Sequence, residues 1–216
     1  MVDRPPVNVI AVIGDVTNSR GIARREAFQR KLAAALQTAS TAAGSALASP
    51  YTITLGDEFQ AVYRRPETLW AELIEVLAEI HPVQARFAIG VGELTTRINP
   101  EQALGMDGPA FHRARDGIER LKEQGGTFMI VGDDPAEWAL ANHALALWSH
   151  SLQKWSRNRL QILAGLLRDR PVRELEAELS ISRVAVYKNI HAAALDDVIG
   201  ICHELSRALD RTRKDA

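Results

Sequence analysis

Tyr-Thr-Ile-Thr-Leu-Gly-Asp-Glu-Phe-Gln-Ala-Val-Tyr, residues 51–63, decides the fold of this chain. Two β-prone runs, 51–55 and 59–63, flank Gly56-Asp57-Glu58. A Gly-Asp pair between such runs is a hairpin signal. The hairpin puts the carboxylate of Asp57 at its turn. A second acid holds a similar place earlier in the chain. Residues 7–13 form a short, near-continuous apolar run rich in β-branched side chains, as expected of a central buried strand. That run leads into Gly14-Asp15-Val16. A carboxylate at the end of a buried strand is costly unless something pairs with it. Two such carboxylates set side by side suit Mg²⁺, which takes one or two carboxylates together with substrate phosphates. Asp15 and Asp57 are therefore the expected metal ligands. The plainer alternative is that they cap turns or pair with Arg20, Arg113 or Arg115.

Further elements follow outward from the hairpin. Residues 21–43 read as a long amphipathic helix, with Phe28, Leu32, Ala35 and Leu36 at helical spacing. Residues 66–80 read as a second helix, with Pro66 near its first turn. Residues 86–92 read as a fourth strand. Residues 108–124 read as a third helix closed by Gly125-Gly126, and 127–131 as a fifth strand. The order β-α-β-β-α-β-α-β is a split βαβ, ferredoxin-like arrangement with one added strand. The expected class is α+β: an antiparallel sheet with helices on one face, the first strand lying beside the hairpin. Thr17, Asn18 and Ser19 form a short polar loop before Gly21, read as the start of a helix. Backbone N–H groups there are candidates for holding a phosphate, and an ordinary helix cap is the alternative.

From Pro135 onward the pattern is helical throughout. The expected division is a first domain over 1–134, a connecting helix over 135–152 and a helical domain over 153–216. In the last part, 172–179 and 183–194 read as short helices around Ser180-Ile181, with Ser182 as N-cap. The run Leu-Ser-Ile-Ser-Arg-Val-Ala-Val-Tyr-Lys-Asn-Ile, residues 179–190, resembles the turn and recognition helix of bacterial helix-turn-helix regulators. That resemblance implies DNA as a partner. Ser182, Arg183, Tyr187, Lys188 and Asn189 would face the groove, Arg and Asn suiting guanine and adenine edges, and Lys or Tyr suiting phosphates. Glu176 and Ser180 depart from the usual Ala and Gly of such motifs. A small bundle used for protein contact is the alternative.

Composition bounds these readings. The formal net charge is −1, with 46% apolar and 25% charged residues, which excludes wholesale disorder and a protein that coats nucleic acid by charge alone. Residues 1–152 hold 14 Lys/Arg against 18 Asp/Glu, whereas 153–216 hold 12 against 9. The C-terminal part is thus the more tolerant of phosphate. No apolar stretch is long enough to span a bilayer, and residues 1–6 contain no signal-peptide apolar region. A cytoplasmic protein without a membrane partner is the expectation. The single cysteine, Cys202, lies among apolar residues and reads as helix core. His143 and His150 share a helix face without the spacing of a metal site.

Four stretches carry a resemblance that covers almost the whole chain. They are Gly-Asp-Val-x-x-Ser-Arg at 14–20, Thr-Leu-Gly-Asp-Glu-Phe-Gln-Ala-Val at 54–62, Arg-Phe-Ala-Ile-Gly-Val-Gly at 86–92, and Met-Asp-Gly-Pro-Ala-Phe-His-Arg-Ala-Arg at 106–115. Together they resemble the SatD family, small bacterial proteins with a C-terminal helix-turn-helix. Behind it lies a resemblance to the palm core of class III nucleotidyl cyclases and diguanylate cyclases. There, one Asp ends the first strand, and a second acid in a Gly-Asp hairpin helps hold two metal ions on a nucleoside triphosphate. The resemblance implies metal at Asp15 and Asp57. It implies nucleotide contacts from Glu58, His112, Arg113 and Arg115, beside the candidates Asn18 and Ser19 of the polar loop. It also marks departures. His112 stands at the position of a transition-state Asn, Asp116 at that of an Arg, and Leu55 replaces the first Gly of the diguanylate cyclase signature. The expected protein is a cytoplasmic regulator, a homodimer with a nucleotide- and Mg²⁺-binding cyclase-like domain and a DNA-binding helix-turn-helix. The alternatives are an active nucleotidyl cyclase or nucleotidyltransferase, and a non-catalytic interaction scaffold.

Overall fold

The computed structural model describes residues 7–215. The expectation that residues 1–6 carry no signal peptide lies outside the described residues. Five strands, β1 (Val7–Val16), β2 (Leu47–Leu55), β3 (Glu58–Tyr63), β4 (Ala85–Leu94) and β5 (Phe128–Val131), form one sheet in the order β2-β3-β1-β4-β5. Helices α1 (Arg25–Ala43), α2 (Leu69–Ile80) and α3 (Pro109–Gln124) connect them. Helices α4 (Ala139–Leu152), α5 (Arg157–Leu166), α6 (Val172–Leu179), α7 (Arg183–Ala192) and α8 (Leu195–Asp215) follow.

The first four strands keep the split βαβ connectivity. β1 is central and antiparallel to both β3 and β4, and β2 and β3 form the hairpin turning at Gly56-Asp57. The sheet is mixed rather than wholly antiparallel, because β5 runs parallel to β4. The cause is the α3 crossover: a strand that returns after a helix crosses in the same direction as its predecessor.

Helices also cover both faces, not one. Along β1, Ile10, Val12 and Val16 enter a core shared with α1 and α2, while Val9, Ala11 and Ile13 enter a second core against α3. A strand apolar at nearly every position is one buried on both faces. Close approach of α3 depends on glycine: a Cβ on Gly90 would lie 2.0 Å from the carbonyl oxygen of Ala110.

The C-terminal helices do not hang free. The larger core is continuous from Ile10 of β1 through Leu160 and Leu163 of α5 to Leu209 of α8. Arg157 of α5 binds Glu79 of α2 at 2.8 Å, and Arg168 after α5 binds Glu75 at 2.6 Å and the buried Glu72 at 3.2 Å. Cys202 is fully buried, as expected of helix core, and burial pushes its thiol pKa up. Among the described residues no helix is long and apolar enough to cross a membrane.

Candidate functional site

Strand alternation decides where Asp15 points. It shares the side of Val9, Ala11 and Ile13, so its carboxylate lies under the C-terminal half of α3. In the sheet it stands between Glu58 of β3 and Arg86 of β4. Arg86 donates to an Asp15 carboxylate oxygen at 2.9 Å, and Lys122 of α3 stands 4.0 Å from the other. The Asp15 side chain is only 14% exposed. Burial raises its pKa, Lys122 and Arg86 oppose that rise, and the charge of Asp57 adds to it. Lys122 is raised in turn, first by its hydrogen bond to Glu119 and also by Asp15.

Asp57 reaches the same end of the sheet from the hairpin turn. Its carbonyl accepts from the N–H of Val16 at 3.1 Å, which stitches the turn to the exit of β1. Gly56 makes this turn possible with a φ of 58°, a left-handed conformation that costs glycine little. The Asp57 carboxylate accepts a hydrogen bond from the Ser19 hydroxyl. Glu58 faces α3, where both guanidinium nitrogens of Arg115 approach it at 3.3–3.4 Å and the hydroxyl of Thr54 donates at 3.2 Å. One end of the sheet thus gathers Asp15, Asp57 and Glu58 with Arg86, Arg115 and Lys122.

The loop after β1 differs from its expected form. Ser19–Gly21 is a single 3₁₀ turn and α1 begins at Arg25, so Gly21 does not open the helix. Asn18 has a φ of 55°, and its carbonyl accepts from the N–H of Gly21 at 2.9 Å. The N–H of Thr17 is used by Gln84 at 2.8 Å. Asn18 and Gly21 line a cleft closed on its other side by Pro82 and Gln84.

His112 and Arg113 lie elsewhere. They sit near the start of α3, ten and nine positions before Lys122, which is about 14–15 Å along a helix. His112 pairs with Asp107 at 2.8 Å. Arg113 donates to the carbonyl of Val91 at 2.6 Å and pairs with Asp133. The sequence reading singled out neither Arg86 as a partner of Asp15 nor Lys122. A signal existed for Arg86, the one charge in the run 86–92 and therefore in need of an acid across the sheet.

On α7, the Ser182 hydroxyl accepts from the N–H of Ala185 at 3.2 Å and caps the helix. Ser180 has a φ of 52°, which explains why a glycine is usual at such a turn. Arg183, Tyr187 and Lys188 are exposed. Arg183 is paired with Glu176 of α6 at 3.2 Å, and Tyr187 stacks on His191. Asn189 turns inward: it accepts from Arg159 at 3.1 Å and donates to the carbonyl of Ala185 at 2.9 Å. It therefore does not share the outer face with the other four.

The fold and its acidic strand ends define a class: an α+β protein on a split βαβ sheet, with carboxylates and cations gathered where β1 and the hairpin meet. Within that class the family is specific. The sequence profile of the SatD family matches residues 9–200, and the chain belongs to that family. Two solved structures of a bacterial light-regulated adenylyl cyclase are similar to it. One is 13% identical, covering 60% of this chain and 45% of its own, with a TM-score of 0.43. The other is 12% identical, covering 59% and 77%, with a TM-score of 0.46. The chain thus spans less than half the length of the first. No curated protein matches the sequence.

Proposed function

We propose that this SatD-family chain binds a nucleoside polyphosphate together with Mg²⁺ at the end of the sheet that carries Asp15 and Asp57, and that it serves as a regulator. The observation that carries this reading is the mixed charge of that end. Acids alone would suit a bare cation, and bases alone would suit a bare anion. Asp15 beside Arg86 and Lys122, with Asp57 at the adjoining hairpin turn, suits a cation already carrying phosphates. Among the described residues no three His, Cys, Asp or Glu side chains are grouped to hold a metal by themselves. That donor set fits Mg²⁺, which keeps waters and takes phosphate oxygens to complete its shell. Asp15 and Asp57 would hold the ion. Arg86 and Lys122 offset the Asp15 charge and lie within reach of phosphate. Asn18 and Ser19 border the site through their loop, and Glu58 and Arg115 form its wall.

Calorimetric titration with ATP and with GTP tests this. Binding is expected with Mg²⁺ and not with excess chelator, and Asp57→Asn should weaken it at least about tenfold. Equal binding with and without Mg²⁺, or no effect of Asp57→Asn, would remove the site.

For the output of the regulator we propose DNA, contacted by Arg183, Tyr187 and Lys188 of α7 from a helix capped at Ser182. A second reading has its own support. Val184 is 76% exposed on the same face, Tyr187 is 46% exposed, and Arg183 is held by Glu176. An apolar residue at the centre and an acid at the edge favour a protein partner over a phosphate backbone. Gel shift over random duplexes at low salt separates the two, since non-specific binding is strongest there. Retardation supports DNA. Its absence leaves α7 as a protein contact.

A further inference from the structure

Helix α4 lies against the edge strand β5, and its outer surface is unusual. Residues 139–152 contain no Asp, Glu, Lys or Arg. Leu140 is 81% exposed and Leu147 74%, and with His143 between them they form one stripe at i, i+3 and i+7. Beside this ridge runs a groove of about 460 Å³ between α4 and α3, floored by β5, with Gly125, Met129, Val131 and Ala146 in its lining. The edge of β5 is not open to an added strand at its middle. The side-chain amide of Asn142 satisfies both the N–H and the carbonyl of Ile130 at 2.8 Å. What the groove has room for is side chains.

We propose that this face pairs with the same face of a second copy across a two-fold axis near His143, each copy setting Leu140 and Leu147 against the groove of the other. Self-complementarity is the argument. A two-fold interface brings a surface against itself, so a face with net charge repels and a face with ridge and groove side by side fits. The rim carries the second argument. α4 runs from the end of β5 back to its start, as its bonds to Ile130 through Asn142 and to Thr127 through Ser149 require. Arg120 lines the groove towards the start of β5. Asp134 lies at its end, between the lining residues Gly132 and Pro135. An antiparallel pairing of α4 sets Arg120 of each copy towards Asp134 of the other. Both are exposed. This inference is independent of the metal site.

Sedimentation velocity of the full chain tests it. The wild-type chain is expected at twice the chain mass at micromolar concentration, and Leu147→Arg at the chain mass. His143→Glu, which places like charges near the axis, should act the same way and guards against a folding defect peculiar to Leu147→Arg. Arg120→Glu and Asp134→Arg should each weaken the dimer at least about tenfold, and the two together should restore it. Val184→Arg on α7 should leave it intact. A wild-type monomer at all concentrations up to about 100 µM overturns the proposal, as does a dimer indifferent to Leu147→Arg and His143→Glu. Loss of the dimer in Val184→Arg alone would place the interface on α7 and also overturn it.

Discussion

Glu72 has no exposed surface, yet it must carry or shed a proton. The hydroxyl of Tyr63 donates to it at 3.2 Å, Tyr63 meets the hydroxyl of Tyr51 at 2.9 Å, and Arg168 stands 3.2 Å away. Burial raises its pKa from 4.5 to about 7 against the pull of Arg168 and Tyr63. Between those two values the native chain holds a proton that the unfolded chain has lost. Stability therefore falls as pH rises from 4.5 to about 7 and levels off above, by about 3 kcal/mol at 1.36 kcal/mol per unit. Glu72→Gln keeps an acceptor for Tyr63 and leaves Arg168 its partner Glu75, so urea unfolding of this variant should lose most of that slope. A slope unchanged by the substitution would assign it to other groups. Gly90 is constrained by shape. A methyl there meets the backbone of Ala110 at 2.0 Å and Ala114 at 2.6 Å. Backbone cannot move aside as a flexible side chain can. Gly90→Ala should cost about 3 kcal/mol in urea unfolding, the upper end of ordinary overpacking.

Among the elements, the two uses proposed for α7 differ in what they ask of its charge. Removing Lys188 should weaken binding to all duplexes alike and flatten the salt dependence by about one unit if α7 touches phosphate. Gel shifts at several salt concentrations measure this, and an unchanged slope would take Lys188 off the DNA. The elements also show what was legible in the sequence. The hairpin was plain from Gly56-Asp57 between two β-prone runs. The near-continuous apolar character of β1 marked it as central, and the same character meant that helices must cover both faces. A one-faced reading overlooked that α3 had to occupy the second side. The parallel direction of β5 was implicit in the α3 crossover. The start of α1 was not legible, because Ser19 is claimed by Asp57 from a distant part of the chain and no side chain caps the helix at Arg24. Lys122 was hidden for a related reason. Only the packing of α3 over Ala88 and Gly90 carries its last turns to Asp15. The inward turn of Asn189 likewise depends on Arg159, thirty positions earlier.

At the level of the whole molecule, the larger core joins the sheet to the C-terminal helices. β3 holds Tyr63 and, at its start, Glu58. Tyr63 meets Glu72 of α2, and Glu72 meets Arg168 at the base of the C-terminal helices. The strand that frames the acidic site is thereby in contact with the helices that carry α7. The same placement bears on the cyclase alternative, which can be tested directly. His112 and Arg113 are remote from Asp15, and Asp116 stands where the resemblance implies a cation for the transferring phosphoryl group. Incubation with each common nucleoside triphosphate and Mg²⁺ or Mn²⁺ should yield no cyclic product. Turnover abolished by Asp15→Ala would restore the enzyme reading. The most direct measurement of the central claim is a crystal soaked with a nucleoside triphosphate and Mn²⁺ and read by anomalous scattering. The account predicts a Mn²⁺ peak about 2.1 Å from carboxylate oxygens of both Asp15 and Asp57, with phosphate density on the Arg86 and Lys122 side. Asp15 still paired with Arg86 and Lys122, Asp57 still with Ser19, and no anomalous peak between them would contradict it.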